Sequence, residues 1–147
     1  MLWLLLSRAK FLKRDAADAV FSNFIRERDH FTCQKCGKLY IEGQRQGLHC
    51  SHFFSRRHQS VRFYSGNATA HCFSCHQYLG GNPVEFTEWI NAHIGDDALA
   101  ELRKRKETIC KRTKQEKKEI AKHWRAQLAY LQRCRKEGKE FNVMEFD

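Results

Sequence analysis

Cys33-Gln34-Lys35-Cys36 and Cys72-Phe73-Ser74-Cys75 are two Cys-x-x-Cys pairs with about 35 residues between them. Each pair makes a tight turn that presents two sulfurs to one ion, so the two together suit a tetrahedral four-thiolate Zn²⁺. Such a site has no open coordination position. The zinc is therefore expected to be structural, with its binding energy part of the folding energy. A single pair would suit redox exchange equally well, but two pairs favour the metal. Cys50, Cys110 and Cys134 have no partner at ligand spacing and read as ordinary thiols. Seven cysteines is an odd number, which argues against a disulfide framework and for a reducing cytoplasm.

The segment between the pairs carries different chemistry: His49, Ser51, His52, Arg56, Arg57, Asn67 and His71, with His76 directly after the second pair. Hydrolysis of a phosphodiester needs a base to deprotonate water, a divalent cation to stabilise charge on phosphorus oxygens, and fixed donors to orient both. A neutral histidine suits the first role near pH 7. Histidine suits the second, and asparagine the third. His30, His58, His93 and His123 read as structural or exposed. Phe53, Phe54, Phe63, Tyr64 and Phe73 read as a small core beneath the metal.

These groups need elements to hold them. From Lys13 to Arg28 apolar residues (Ala16, Ala19, Val20, Phe21, Phe24, Ile25) recur at helical spacing behind a potential N-cap, Asp15. Glycines, cysteines and short apolar runs then suit tight turns and short strands up to about residue 82. Asn82-Pro83 opens a helix that stops at Gly95, and Asp96 or Asp97 is placed to cap the next. From 96 to 138 there is almost no turn signal. Ala98, Leu102, Ile109, Ile120, Trp124, Leu128 and Leu131 form an apolar stripe among basic residues. The expected division is an N-terminal amphipathic helix (1–30), a zinc-stapled core (31–95) and a basic helical arm (96–147) separable from that core.

The chain has 147 residues and a formal net charge of +10. Between Glu101 and Lys139 there are 15 Lys or Arg against 5 Asp or Glu, so the whole excess sits on the arm. That imbalance is too large for intrahelical pairing and points to a polyanion, with nucleic acid the commonest. The residues expected to contact it are Arg62, Arg103, Lys104, Arg105, Lys106, Lys111, Arg112, Lys114, Lys117 and Lys118. A membrane partner is not expected. The apolar opening Met1–Leu6 is far shorter than the roughly 20 residues of a spanning helix, and reads as a short helix or interface anchor.

The order His52, Asn67, His76 resembles the His-Asn-His signature of HNH nucleases. More narrowly, residues 16–95 resemble the phage lambda NinG (Rap) recombination endonucleases. The resemblance is carried by Ala-Val-Phe-Ser-Asn-Phe-Ile-Arg-Glu-Arg-Asp (19–29), Cys-x-x-Cys-Gly (33–37), Ser-His-Phe (51–53) and Val-Arg-Phe (61–63). Asn67, Cys72-x-x-Cys75, Gly-Gly-Asn (80–82) and Ile-Gly (94–95) complete it. It implies an α+β fold with a ββα-metal (HNH, treble-clef) core. It also implies Mg²⁺- or Mn²⁺-dependent cleavage of branched DNA such as Holliday junctions and D-loops, inside a bacterial host.

Carried over by position, His52 is the general base, Asn67 its orienting residue, His76 a ligand of the catalytic ion, and Arg56 or Arg57 the phosphate clamp. Many such sites place a second ligand directly before the base, here Ser51. Lambda-type members carry an acid three residues before it, here His49. Positions 49 and 51 share a face of a strand, so His49 can stand in. Two other functions fit the same residues: a sequence-specific HNH nuclease of restriction, homing or packaging type, and a non-catalytic zinc-finger DNA-binding module. A homodimer is a further expectation, since a four-way junction needs two coordinated cuts and helices 13–28 and 113–137 offer apolar stripes.

Overall fold

The computed structural model describes residues 12–147, so the apolar opening Met1–Leu6 lies outside the described residues. The fold is mixed α+β, with one two-stranded antiparallel sheet among helices.

Helix α1 (Ala16–Arg28) starts where the sequence said it would. Asp15 accepts from the Asp18 amide (3.0 Å) while the Asp18 carboxylate accepts from the Asp15 amide (2.9 Å), closing a capping box. Its buried face is Ala17, Phe21, Phe24 and Ile25, all at 2% exposure or less, whereas Ala16 is exposed. The helix ends on two successive residues with positive φ, His30 (55°) and Phe31 (51°). Such backbone is costly for non-glycine residues. It is held by Asp29, whose carboxylate accepts from the Ala70 amide (2.8 Å) and the Thr69 hydroxyl (2.9 Å). The turn drops Phe31 into a small core with Leu48 and Ala70.

Strands β1 (Leu48–His52) and β2 (Ala68–Cys72) pair in the register Leu48↔Cys72 to His52↔Ala68. Between them run a loop, the single-turn helix α2 (Gln59–Arg62) and a 3₁₀ turn, Ser65–Asn67. The ribbon face bearing Cys50, Ala68 and Ala70 meets α1 and Phe31, and the opposite face bears His71. Helix α3 (Phe73–Gly81) follows β2 at once, and α4 (Pro83–Ile94) brings Trp89 to within 4.6 Å of the His71 ring. Proline opens α4 at its first turn, as expected. Helix α5 (Asp96–Glu107) begins after Gly95; Asp96 and Asp97 lie in its first turn and do not cap it.

The basic segment holds two helices, the second close to the expected 113–137. It breaks at 108–113 and restarts as α6 (Lys114–Glu137), with Thr113 and Glu116 forming a capping box. Ile109 lies in the break and is 92% exposed, and the buried residues of α5 are Leu99 and Leu102, not Ala98. Nor is the segment an appended arm. Ile120, Ala121, Trp124 and Leu131 form one core with Phe21, Phe24, Ile25 and Phe63. The pairs Asp15–Lys117, Phe21–Trp124 and Glu27–Arg135 run in the same order along both helices, so α1 and α6 are parallel. The apolar stripes expected to serve a dimer are therefore spent on each other. After Gly138 (φ 65°) the chain turns back, packing Phe141 and Phe146 on the same core and placing the Glu145 carboxylate on the Ser65 amide (3.1 Å). Among the described residues no helix is long and apolar enough to cross a membrane.

Trp124 is fully buried between Phe21 and Phe24. Trp124→Ala is expected to cost about 3–5 kcal/mol, the usual loss for an aromatic truncated in a packed core. Urea titration followed by far-UV circular dichroism reads it. Deleting residues 101–139 is expected to abolish cooperative unfolding; a truncated chain with a native-like transition would refute the shared core.

Candidate functional site

The first constellation is the cysteine cluster. The Cys33 amide donates to Lys38 O (2.9 Å) and the Gly37 amide to Cys33 O (2.8 Å), forming a knuckle closed by the Thr32–Leu39 bridge. Gly37 turns it at φ 76°. The Gln34 amide donates to Ala70 O (2.9 Å), fastening the knuckle to β2. Cys72 is the N-cap of α3 and Cys75 sits in its first turn, its amide donating to Cys72 Sγ (3.4 Å). All four sulfurs lie within 4.8 Å of one another. A tetrahedron with arms of about 2.3 Å has edges of about 3.8 Å, and Cys36 Sγ and Cys72 Sγ are 3.7 Å apart.

The donor set fits structural zinc, and so does the electrostatics. Burial opposes the Cys33 thiolate, but the backbone amides of Cys36, Cys72 and Lys35 outweigh it and pull the thiol to about 7. Burial pushes Cys75 the other way, and the neighbouring sulfurs add to it. Four thiolates this close repel unless a cation sits among them. Cys50, half-buried, has its thiol pushed to about 11 by burial, consistent with an unreactive group.

The second constellation is a cavity of about 340 Å³ at the edge of β1. It collects His49, His52, His76 and Arg56, with Arg14, Asp18, Ser22 and Arg26 from α1 and its approach. His49 and His76 stack with centroids 5.0 Å apart and planes 8° from parallel. Ser51, the other possible ligand, is 2% exposed and does not line the cavity. Burial holds both imidazoles neutral, aided by the Arg26 charge at His49 and by His49 at His76.

His52 Nε2 lies 3.0 Å from Arg62 O. A carbonyl only accepts, so Nε2 carries the proton and Nδ1 keeps a bare lone pair. Burial, opposed by that hydrogen bond, pushes His52 down to about 4. Asn67 is fully buried, and its side-chain hydrogen bonds go to Phe54 and Val61 rather than to His52. Its amide donates to Phe54 O (2.9 Å) and Val61 O (3.1 Å) and accepts from the Phe54 amide (2.9 Å), bracing the loop whose next carbonyl accepts the His52 hydrogen bond. The link from Asn67 to His52 therefore runs through the backbone of that loop.

The arginines separate. Arg56 lines the cavity, 3.5 Å from Asp18, whereas Arg57 is exposed outside it. Arg62 is 1% exposed with its guanidinium on Asp18, so it cannot be the surface contact expected of it. His71 does not line the cavity; it is fully buried against Trp89, and among the described residues neither ring nitrogen has a hydrogen-bond partner. Of the expected aromatic core, Phe63 is buried but Phe73 is 56% exposed. In the basic segment Arg105 lies over Tyr64, Lys106 over Phe54 and Arg112 over Phe146, and Lys117 pairs with Asp15. Arg103, Lys104, Lys111, Lys114 and Lys118 point outward.

Sequence reading missed the contribution of α1. Asp18, Ser22 and Arg26 recur at i, i+4 and i+8, a polar row beside the apolar face and itself buried. That row was the available signal.

A four-cysteine metal clamp fused to a cavity of histidines and arginines is the class of protein that this fold and site define. The chain belongs to the family described as Bacteriophage Lambda NinG protein, whose family model matches residues 5–136. Searches of curated proteins and of solved structures find no match.

The purified protein is expected to carry one zinc per chain. Cys33→Ser or Cys75→Ser should lose both the metal and cooperative thermal unfolding, as should the wild type after chelation. Metal analysis with calorimetry checks this, and a zinc-free Cys33→Ser protein melting like wild type would dismiss the clamp.

Proposed function

We propose that this protein is a phage recombination endonuclease of the HNH type, with a treble-clef ββα-metal core formed by β1, β2 and α3. It hydrolyses phosphodiester bonds in branched DNA such as Holliday junctions and D-loops. The observation that carries the reading is the His52 imidazole, its Nε2–H spent on Arg62 O and its Nδ1 without a hydrogen bond among the described residues, in the same cavity as the His49–His76 pair and Arg56.

In this reading His52 Nδ1 takes a proton from water as the water oxygen bonds to phosphorus and the bond from phosphorus to the leaving sugar oxygen breaks. His49 and His76 would hold Mg²⁺ or Mn²⁺, which when bound stabilises charge on the phosphoryl and leaving oxygens. Arg56 draws the scissile phosphate in. A phosphodiester brings negative charge against the cations of the cavity, which raises the basicity of His52 from its buried value. Arg103, Lys104, Lys111, Lys114 and Lys118 supply phosphate contacts that position DNA without reading bases.

The test is a cleavage assay on a four-way junction, a flap and a linear duplex of equal length, with Mg²⁺ or Mn²⁺. Junction cleavage that EDTA stops is expected, and cutting of the linear duplex at one sequence would favour the restriction or homing type. His52→Ala should slow cleavage by about 10²–10⁴-fold with DNA affinity unchanged. His76→Ala should also lose activity and regain part of it at raised Mn²⁺. Wild-type rates from His52→Ala would remove the assignment.

A further inference from the structure

Asp18 and Arg62 form an ion pair at 3% and 1% exposure. Arg62 Nε donates to Asp18 Oδ1 (3.0 Å) and Nη2 to Asp18 Oδ2 (2.5 Å). The same Nη2 reaches Asp15 Oδ2 and Lys13 O, each at 3.4 Å. Burying two charges costs several kcal/mol per ion, and replacing such a pair with apolar residues is often neutral or stabilising. Its presence therefore calls for a role beyond stability.

The geometry offers one. Arg62 is the residue whose carbonyl accepts the hydrogen bond from His52 Nε2. Helix α2 is a single turn with no side-chain cap, too short to hold itself. Its end is fixed by Val61 in the core, by Asn67 on Val61 O and by the Arg62 side chain on α1. Arg62 thus couples the two ends of one residue: its guanidinium is clamped to α1 and its carbonyl faces the imidazole. Asp18 serves a second group as well, since Arg56 Nη1 lies 3.5 Å from it.

We propose that Asp18 and Arg62 are positioning residues of the nuclease site, fixing His52 as its Nε2–H tautomer with Nδ1 toward the cavity and holding Arg56 beside it. The inference rests on the nuclease reading for the role of His52, but the geometry it asserts is measurable without turnover.

The experiment uses the full zinc-loaded chain and compares wild type, Asp18→Leu/Arg62→Met, and Asp18→Asn. Long-range ¹H–¹⁵N NMR reports the His52 tautomer, and single-turnover cleavage with saturating junction DNA separates rate from binding. Wild type is expected to show one tautomer, protonated at Nε2. The double variant has no buried charge to strand but loses the Asp18 half of the capping box, and is expected to fold with a modestly lowered melting temperature and mixed His52 tautomers. Its rate should fall at least about 10-fold at unchanged DNA affinity, the scale seen when a partner that orients a working histidine is removed. A folded double variant that keeps the single tautomer and the wild-type rate would overturn the proposal, as would a wild-type His52 protonated at Nδ1. If the double variant does not fold, Asp18→Asn, which keeps the helix cap, is judged on the same two readouts. Absence of cleavage by wild type would count against the nuclease reading alone, leaving the tautomer result to stand or fall by itself.

Discussion

A two-stranded ribbon has no independent stability in water, yet this one carries His49, His52 and Cys72. Both its faces and both its ends must be held by something else. Helix α1 supplies the largest share: Phe21 and Ile25 belong to the core it shares with Ala68, Arg26 Nε donates to Leu48 O (2.7 Å), and Asp29 binds the Ala70 amide. Arg28 adds hydrogen bonds to Ser65 O (2.8 Å) and Ala68 O (2.7 Å). The knuckle holds the far end through Gln34 and the sulfur cluster. Charged residues in the last two turns of α1 thus act as backbone-binding side chains, which accounts for Arg26 at 6% exposure in so basic a protein.

This arrangement explains which parts of the fold could be read in advance. The Asp15 cap, the proline at the start of α4 and the two cysteine pairs are local signals, and each stands where its spacing put it. The partnership of α1 with α6 is a tertiary fact. An apolar stripe says that a face is buried, not against what, so the same stripe fitted a dimer or an arm equally well. The break before α6 was legible in Thr113-x-x-Glu116, a capping-box pattern hidden within the basic run.

The cavity was legible to a similar degree. His49, His52 and His76 converge, because β1 pairs with β2 and the first turn of α3 follows β2 at once. Arg56 and Arg57 are neighbours in sequence, and only the direction of the loop decides which faces inward. Arg62 was read as a surface cation because nothing near it in sequence is acidic; its partner lies 44 residues earlier. Net charge likewise overstates the free positive surface, since several cations of α5, α6 and the break between them lie over aromatic rings or against carboxylates.

The parallel course of α1 and α6 also bears on how the protein is made. About 85 residues separate Arg28 from Lys114, and Trp124 cannot reach Phe21 and Phe24 until that whole stretch has left the ribosome. Contacts so distant in sequence close late and slowly. The sulfur clamp, the ribbon and the knuckle lie entirely inside the interval. A nascent chain can therefore bring its four cysteines together while the wall of α1 behind them is still bare of its partner, with the sides of Phe21 and Phe24 that meet Trp124 exposed. During that interval the growing chain is open to aggregation through this apolar face, and the arrival of α6 ends it.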